Sequence, residues 1–334
     1  MHTDLRTSLT NHSPSDFTMR NGSRQGNPSG SDFWPGRRLA AVAAALGVLL
    51  VAGASAQQTK EREMFVSVLT QADAPVLTLG AADFVVREDG RTREVLRARQ
   101  ASDPIDIALL IDTSQALDRH LSDTRKAIEG FIDKMSGRAN ISLIGLGDRP
   151  TILTPYSDDK EQLKKGLGSV FPITGAGAYV LDSIQETMTG MAKRTSERSA
   201  IVVVFLGGVE FSNASSAAIL DSLQASSAAL HVITVGNTVP RDAMSMEGRN
   251  RETVFDRGTA QSGGRRENVL SSMNLPDALA KLAGELLGQY RITYARPDTL
   301  IPPKKVEVSV RQTGLTVRAT PVPAPKPPAK DAAK

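Results

Sequence analysis

The chain of 334 residues contains no cysteine. That excludes a disulfide, a thiolate nucleophile, an iron–sulfur cluster and any cysteine-based zinc site. Histidine is scarce as well: there are four, and His2 and His12 precede the export-like segment described below. His120 and His231 remain, too few for a histidine metal cluster and the only imidazoles available to a Ser-His-Asp triad. His120 sits in a charged helix start and His231 opens a strand, so both read as structural. No G-x-x-x-x-G-K-[ST] phosphate loop and no G-x-S-x-G nucleophile elbow occurs. Gly175-Ala176-Gly177 runs into Ala178-Tyr179-Val180, so a dinucleotide fingerprint lacks its third glycine. Charge of one sign is also missing. The net charge is +4, and beyond residue 56 the balance is 35 Lys/Arg against 33 Asp/Glu. So even a balance gives no case for a nucleic-acid or anionic-membrane surface.

What the chain does have is a buried run ending in small polar residues. Ile105, Ile107, Leu109, Leu110 and Ile111 form a near-continuous apolar stretch, the mark of a strand covered on both faces of a parallel sheet. It ends on Asp112-Thr113-Ser114, and a helical pattern follows at once. Ligands of open α/β sheets gather at such carboxyl ends, where the strand order reverses. A carboxylate and a hydroxyl there are hard oxygen ligands suited to Mg²⁺ or Ca²⁺. Equally, Asp112 and Ser114 can cap the helix that follows.

The ends of the chain differ from its middle. Residues 1–36 read as a disordered polar lead. Residues 37–56 read as a signal peptide: Arg37-Arg38, the apolar run Leu39–Ala54, and the A-x-A site Ala54-Ser55-Ala56, with cleavage expected after Ala56. The run is shorter than a membrane-spanning helix needs. A secreted or periplasmic protein is expected, with no membrane span after cleavage. Residues 63–100 read as β. Phe84–Arg87 and Arg93–Arg97 flank Glu88-Asp89-Gly90-Arg91, a hairpin signal. These strands are too few to stand alone and need partners from elsewhere. Lys305–Arg311 and Leu315–Ala319 flank Gln312-Thr313-Gly314 and read as a second hairpin. From 321 to 334 the chain is a Pro/Ala/Lys-rich tail.

Between these ends strand and helix alternate, which predicts a doubly wound, mostly parallel sheet. Asp158 is expected to cap a helix through Val170, Ala214–Ala229 to be helical, and Asn274 to cap Leu275–Leu287. Residues 238–267 read as a solvated insertion, Arg249-Asn250-Arg251-Glu252 included.

Five segments carry a family resemblance. They are ADFVVREDGRTREVLRARQ (82–100), IALLIDTSQA (107–116), AYVLDSI (178–184), VVVFLGGVEFSN (202–213) and GELLGQYRITYARP (284–297). In order and spacing they resemble the bacterial von Willebrand factor A-related family found in secreted proteins. The resemblance implies a Rossmann-like α/β domain over 103–290. It also implies a small β-sandwich-like unit in which strands from 289–320 pair with those of 63–100.

The family's metal-ion-dependent adhesion site draws an Asp, two Ser, a Thr and a second Asp from three loops. In this chain Asp112 and Ser114 match. Ala116 stands at the second Ser, Ala178 at the Thr and Gly207 at the second Asp. Thr174 and Glu210 lie near enough in sequence to substitute. The remnant Asp112, Ser114, Thr174 and Glu210 is therefore the candidate binding site, with a shallow apolar dent expected in place of an ion cradle. No cofactor is expected beyond weak Mg²⁺ or Ca²⁺ binding, because one carboxylate offers too few oxygens and too little charge. The expected function is a non-enzymatic protein-binding or scaffold protein whose partner is another protein. A divalent-metal-dependent adhesion module is the alternative, and a hydrolase the more distant one.

Overall fold

All seven side chains of Ile105–Ile111 are buried. The computed structural model that shows this describes residues 59–321 apart from 195, 237–241, 298–300 and 302. The polar lead, the signal segment and the tail beyond 321 lie outside the described residues. In chain order the strands are β1 (Thr59–Leu69), β2 (Phe84–Glu88), β3 (Arg91–Arg93), β4 (Val95–Gln100), β5 (Ile105–Ile111), β6 (Ala139–Gly145), β7 (Thr151–Ser157), β8 (Ser199–Phe205), β9 (Ala228–Val235), β10 (Arg266–Val269), β11 (Tyr290–Pro297), β12 (Val306–Val310) and β13 (Thr316–Pro321). The α-helices are α1 (Leu121–Met135), α2 (Lys160–Leu167), α3 (Val180–Met191), α4 (Ser216–Ala225), α5 (Met246–Thr253), α6 (Thr259–Ser262) and α7 (Leu275–Leu287).

The central sheet has the order β10-β9-β8-β5-β6-β7. Its first five strands are parallel and β7 is an antiparallel edge. The pleat sends alternate residues of β5 to opposite faces. Ile107, Leu109 and Ile111 meet Ile128 and Phe131 of α1 and Leu279 and Leu282 of α7. Ala108 and Leu110 meet Leu181 and Ile184 of α3 and Ile219 of α4. The molecule is thus α/β, with a Rossmann-like sheet covered on both sides. From β5 the chain builds first toward β6 and then, across the sheet, toward β8. The loops after β5 and β8 therefore diverge from a switch point, the usual place for a ligand.

Strands from the two ends of the described chain form two further sheets. One has the order β13-β1-β11-β4 and the other β12-β2-β3. Met64, Val66, Phe84, Val86, Tyr290, Ile292 and Tyr294 pack between them as a separate core. The Tyr290 hydroxyl donates to the Val76 carbonyl and accepts from the Leu79 amide, which ties in the connection after β1.

Several local expectations are corrected. The Asp89-Gly90 turn forms, with φ of 47° and 80°, the left-handed pair that a tight hairpin requires. Its second arm, however, stops at Arg93, and β4 crosses to pair with β11. Lys305–Arg311 and Leu315–Ala319 do not form a hairpin. Instead β12 pairs with β2 and β13 with β1, so the Gly314 turn passes the chain from one sheet of the sandwich to the other. Asp159, not Asp158, caps α2, which ends at Leu167. The helix expected over Ala214–Ala229 is only Ser216–Ala225. Ala228 and Ala229 join β9 beside β8, where ladder pairing overrides alanine's helix propensity. Asn274 precedes α7 but makes no capping bond, and Ser271 caps the short 3₁₀ turn before it. The segment 238–267 is no solvated insertion. Among its described residues are α5, α6 and a π-turn over Val254–Gly258, and Arg251, Val254 and Phe255 are fully buried.

The sandwich yields a test. Lys304 and Lys305 donate backbone N–H bonds to the Asp89 carboxylate, and β12 covers the outer edge of β2. Deleting 304–334 uncovers that edge and also strips β13 from β1. Limited trypsin digestion should then cut at Arg91 or Arg93 much faster than in the full chain. Equal rates would show that the carboxyl-terminal strands do not hold the hairpin.

Candidate functional site

The site grows from the last bond of β5. The Asp112 amide still donates to the Val204 carbonyl, extending the parallel ladder by one step. Its side chain, fully buried, then turns back on the backbone. Oδ1 accepts from the Ser114 amide at 3.1 Å. Oδ2 accepts from the amides of Leu206 at 2.9 Å and Gly208 at 3.1 Å. Three N–H donors thus converge on one carboxylate, a strong charge-assisted arrangement. The neighbouring residues extend the clamp. The Thr113 hydroxyl accepts from Gly147 at 2.8 Å, and its carbonyl accepts from Ile173 at 2.9 Å. Ser114 Oγ caps the 3₁₀ turn Gln115–His120 by accepting from Ala116 at 3.2 Å. Three consecutive residues therefore pin the loops after β6, before α3 and after β8.

Gly208 occupies the middle of this arrangement. A Cβ there would lie 2.4 Å from Ser114 Oγ and 3.0 Å from the Cβ of Ala178. Only glycine permits that approach. The expected apolar dent is therefore filled by backbone. Gly207 is exposed and has φ of +94°, where a side chain is disfavoured.

Of the four candidate residues, Asp112 and Ser114 come together, and the other two stand apart. Thr174 is exposed, in the turn closed by the Ala176 amide on the Ile173 carbonyl. Glu210 is buried, yet its carboxylate turns to the start of α3. Oε1 accepts from Val180 at 3.0 Å, Leu181 at 3.5 Å and Ser212 at 3.3 Å. Tyr179 gives α3 no side-chain cap, so Glu210 supplies one from another loop. Glu210 Oε2 is buried and has no partner among the described residues. Burial pushes the Glu210 pKa up to about 7, against the opposing pull of Ser212 and Arg251.

Behind Glu210 lies a cluster the sequence hides. The Asp242 carboxylate accepts the Glu210 amide at 2.7 Å and both terminal nitrogens of Arg251, at 2.6 and 3.1 Å. The Arg251 guanidinium stacks 4.5 Å from the centroid of the Phe205 ring. Breaking such a buried pair costs about 3–5 kcal/mol, because one charge is left alone. The reading of Arg249-Asn250-Arg251-Glu252 as solvated missed it, since a charged run looks alike whether it pairs inside or faces water. Thr113 and Gly208 were missed too. The available signal was the glycine pair after a buried strand, a mark of close backbone approach.

The histidines are elsewhere. His231 is fully buried in β9, where burial lowers its pKa to about 3, and neither ring nitrogen has a partner among the described residues. His120 precedes α1, and its pKa is lowered by burial and by Arg119.

These donors do not fit the divalent cation of an adhesion site. Asp112 brings the one carboxylate of the matched positions, and its oxygens already accept three N–H bonds. Ser114 Oγ already accepts a bond, and Gly208 packs on it. Ala116, Ala178 and Gly207 bring no side-chain oxygen, whereas Mg²⁺ or Ca²⁺ wants six or more oxygens in its shell. Among the described residues no group of three or more His, Asp or Glu is placed to hold a metal ion.

The rim is apolar. Phe171 and Ile173 before α3, Val209 and Phe211 after β8, and Met244 ahead of α5 with Met246 at its first position are all exposed at the carboxyl end of the sheet. Phe211 lies against Gly177, and its ring centroid is 6.2 Å from that of Tyr179.

A six-stranded α/β sheet, with an Asp-x-Ser strand end meeting the loops before α3 and after β8, defines a Rossmann-like α/β module. Residues 106–262 match the family model of the von Willebrand factor type A domain, and this stretch of the chain is such a domain. Solved structures to which the chain is similar include proximal thread matrix protein 1 from the mussel byssus, at 14% identity and a TM-score of 0.45, covering 56% of this chain and 49% of that one. This chain thus spans about half the length of the mussel protein. A von Willebrand factor type A protein from Catenulispora acidiphila matches at 12% identity and a TM-score of 0.46, covering 79% of this chain and 72% of that one. The conserved hypothetical protein BatB from Bacteroides thetaiotaomicron matches at 17% identity and a TM-score of 0.40, covering 55% and 97%. No curated protein matches the chain.

Glu210 predicts a pH dependence. The folded protein keeps a proton to about pH 7 that the unfolded chain releases near 4.5, so stability falls as pH rises between those values. The span corresponds to a loss on the order of 3 kcal/mol. Glu210→Gln keeps the acceptor for α3 and supplies a neutral amide in place of Oε2. Urea denaturation should show a decline from pH 5 to 8 in the parent that is largely absent in Glu210→Gln. Parallel curves would show that Glu210 ionises normally.

Proposed function

We propose that this chain is an exported, non-catalytic binding or scaffold protein. In this reading it docks a protein partner at the carboxyl end of its central sheet without using a metal ion. The observation that carries the reading is the Asp112 carboxylate. Both of its oxygens are taken by backbone amides of its own loops, so it serves as a staple where the family's pattern has a metal ligand. The exposed aromatic and aliphatic rim around it supports contact by apolar burial, the usual character of the centre of an interface. Export rests on the Arg37–Ala56 pattern. Among the described residues no helix is long and apolar enough to cross a membrane.

Two measurements test this. Millimolar Mg²⁺, Mn²⁺ or Ca²⁺ should leave the melting temperature unchanged, although an ion at 100 times its Kd would add about 2.7 kcal/mol. Asp112→Ala strands three buried N–H groups, at ~1–3 kcal/mol each. It should therefore lower the melting temperature by several degrees or more, equally with ion and with chelator. A metal-dependent rise that Asp112→Ala abolishes would instead identify a working adhesion site. For the partner, a photo-crosslinking residue at Phe211 should capture a discrete protein in cells, and the adduct should persist in chelator. One at Arg87, on the β-sandwich, should not. Capture that vanishes with chelator, or none at Phe211, would refute metal-independent docking at this rim.

A further inference from the structure

One end of the β-sandwich gathers arginines around a single carboxylate. The alternation of β1 that buries Met64, Val66 and Val68 in the sandwich core puts Arg62 on the same inner face. Arg62 stands opposite Tyr294 of β11 in the ladder, with Arg296 diagonal to it. Diagonal neighbours on one face of a sheet are within reach of long side chains. From the facing sheet come Glu88 of β2 and Arg93 of β3. Glu88 is buried, and both of its oxygens are used. Oε1 accepts from the Tyr294 hydroxyl at 2.9 Å. Oε2 accepts from Arg93 Nε at 2.9 Å and pairs with Arg296 Nε at 3.3 Å.

Three guanidinium groups thus stand against one carboxylate, a surplus of two positive charges. Among the described residues no other carboxylate pairs with any of the three. Glu61, beside Arg62, lies on the outer face and pairs with Arg97. Asp89, next to Glu88, accepts the backbone amides of Lys304 and Lys305. Arg62 is half-buried, makes no hydrogen bond or ion pair with a described residue, and keeps its Nε buried without a partner. A buried donor without an acceptor is costly, and like charges close by add repulsion. An anion seated among the three would relieve both.

We propose that this end of the sandwich binds a phosphate dianion, held by Arg62 together with Arg93 and Arg296. A dianion matches the surplus of two charges, and guanidinium groups take phosphate oxygens through paired N–H bonds. The phosphate is the free ion or the end of a phosphate monoester. The proposal does not depend on the apolar rim, which belongs to the loops of the central sheet.

The test is calorimetry on the full chain at pH 8 and low salt with inorganic phosphate, methyl phosphate and dimethyl phosphate. The first two are dianions there and should bind, whereas dimethyl phosphate, a monoanion, should bind about tenfold more weakly or not at all. Methyl phosphate binding as tightly as phosphate marks a monoester end as the ligand, and a tenfold loss marks the free ion. Arg62→Gln removes a side chain that has no partner, so the fold should survive, and phosphate binding should weaken about tenfold. Arg62→Lys should recover part of it. Arg87→Gln, on the outer face of β2, should change nothing. Millimolar phosphate should also raise the melting temperature of the parent more than chloride does at equal ionic strength, and Arg62→Gln should lose that difference. No saturable binding, binding unchanged by Arg62→Gln, dimethyl phosphate binding as tightly as phosphate, or a melting shift that chloride reproduces would overturn the proposal. So would binding that arises only in Asp298→Asn, because that residue, outside the described ones, would then be the anion that Arg62 meets.

Discussion

A buried carboxylate must find partners or lose its charge, and that constraint organises this molecule. Asp112 meets it with three backbone amides drawn from two loops. Thr113 and Ser114 complete the anchorage, and the loops around them close until Gly208 touches Ser114. The same residue type at the same strand end serves as a metal ligand where further side-chain oxygens surround it, and here Ala116, Ala178 and Gly207 bring none. One fold thus supports two uses of an aspartate, and the geometry of the following loop selects between them.

The loop after β8 illustrates how the selection is made. Where the family's pattern places an acidic side chain, this chain has Gly207 in a left-handed conformation. The two glycines let the backbone turn inward and offer the Gly208 amide to Asp112. Carboxylate character reappears at Glu210, but there it serves the start of α3. Asp242, itself held by Arg251, accepts from the Glu210 amide.

Much of this was legible in the sequence, for identifiable reasons. Ile105–Ile111 reads as a doubly covered strand because its apolar run has no polar face. The alternation that follows gives the doubly wound sheet, and the Asp-Gly pair gives its turn. What was illegible depends on partners distant in sequence. Nothing local says that Val306–Val310 pairs with Phe84–Glu88 while Thr316–Pro321 pairs with β1, since both strands are half apolar and joined by a turn. Arg251 in a polar run gives no hint that Asp242 awaits it inside. Asp112 and Ser114 were found from residue type and position, but the direction of their bonds is set by Leu206 and Gly208, nearly a hundred residues away.

The position of β1 has a mechanical meaning. It lies between β11 and β13, and its antiparallel register with β13 sets Met64 opposite Pro321 and Leu69 opposite Thr316. Thr59 and Pro321 therefore lie toward the same end of one strand pair. Tension applied between residues 59 and 321 loads that pair bond by bond, as a zipper, instead of shearing all its bonds together. The first element to yield would be β13. The α/β domain, with its loops stapled by Asp112, would bear almost none of the load.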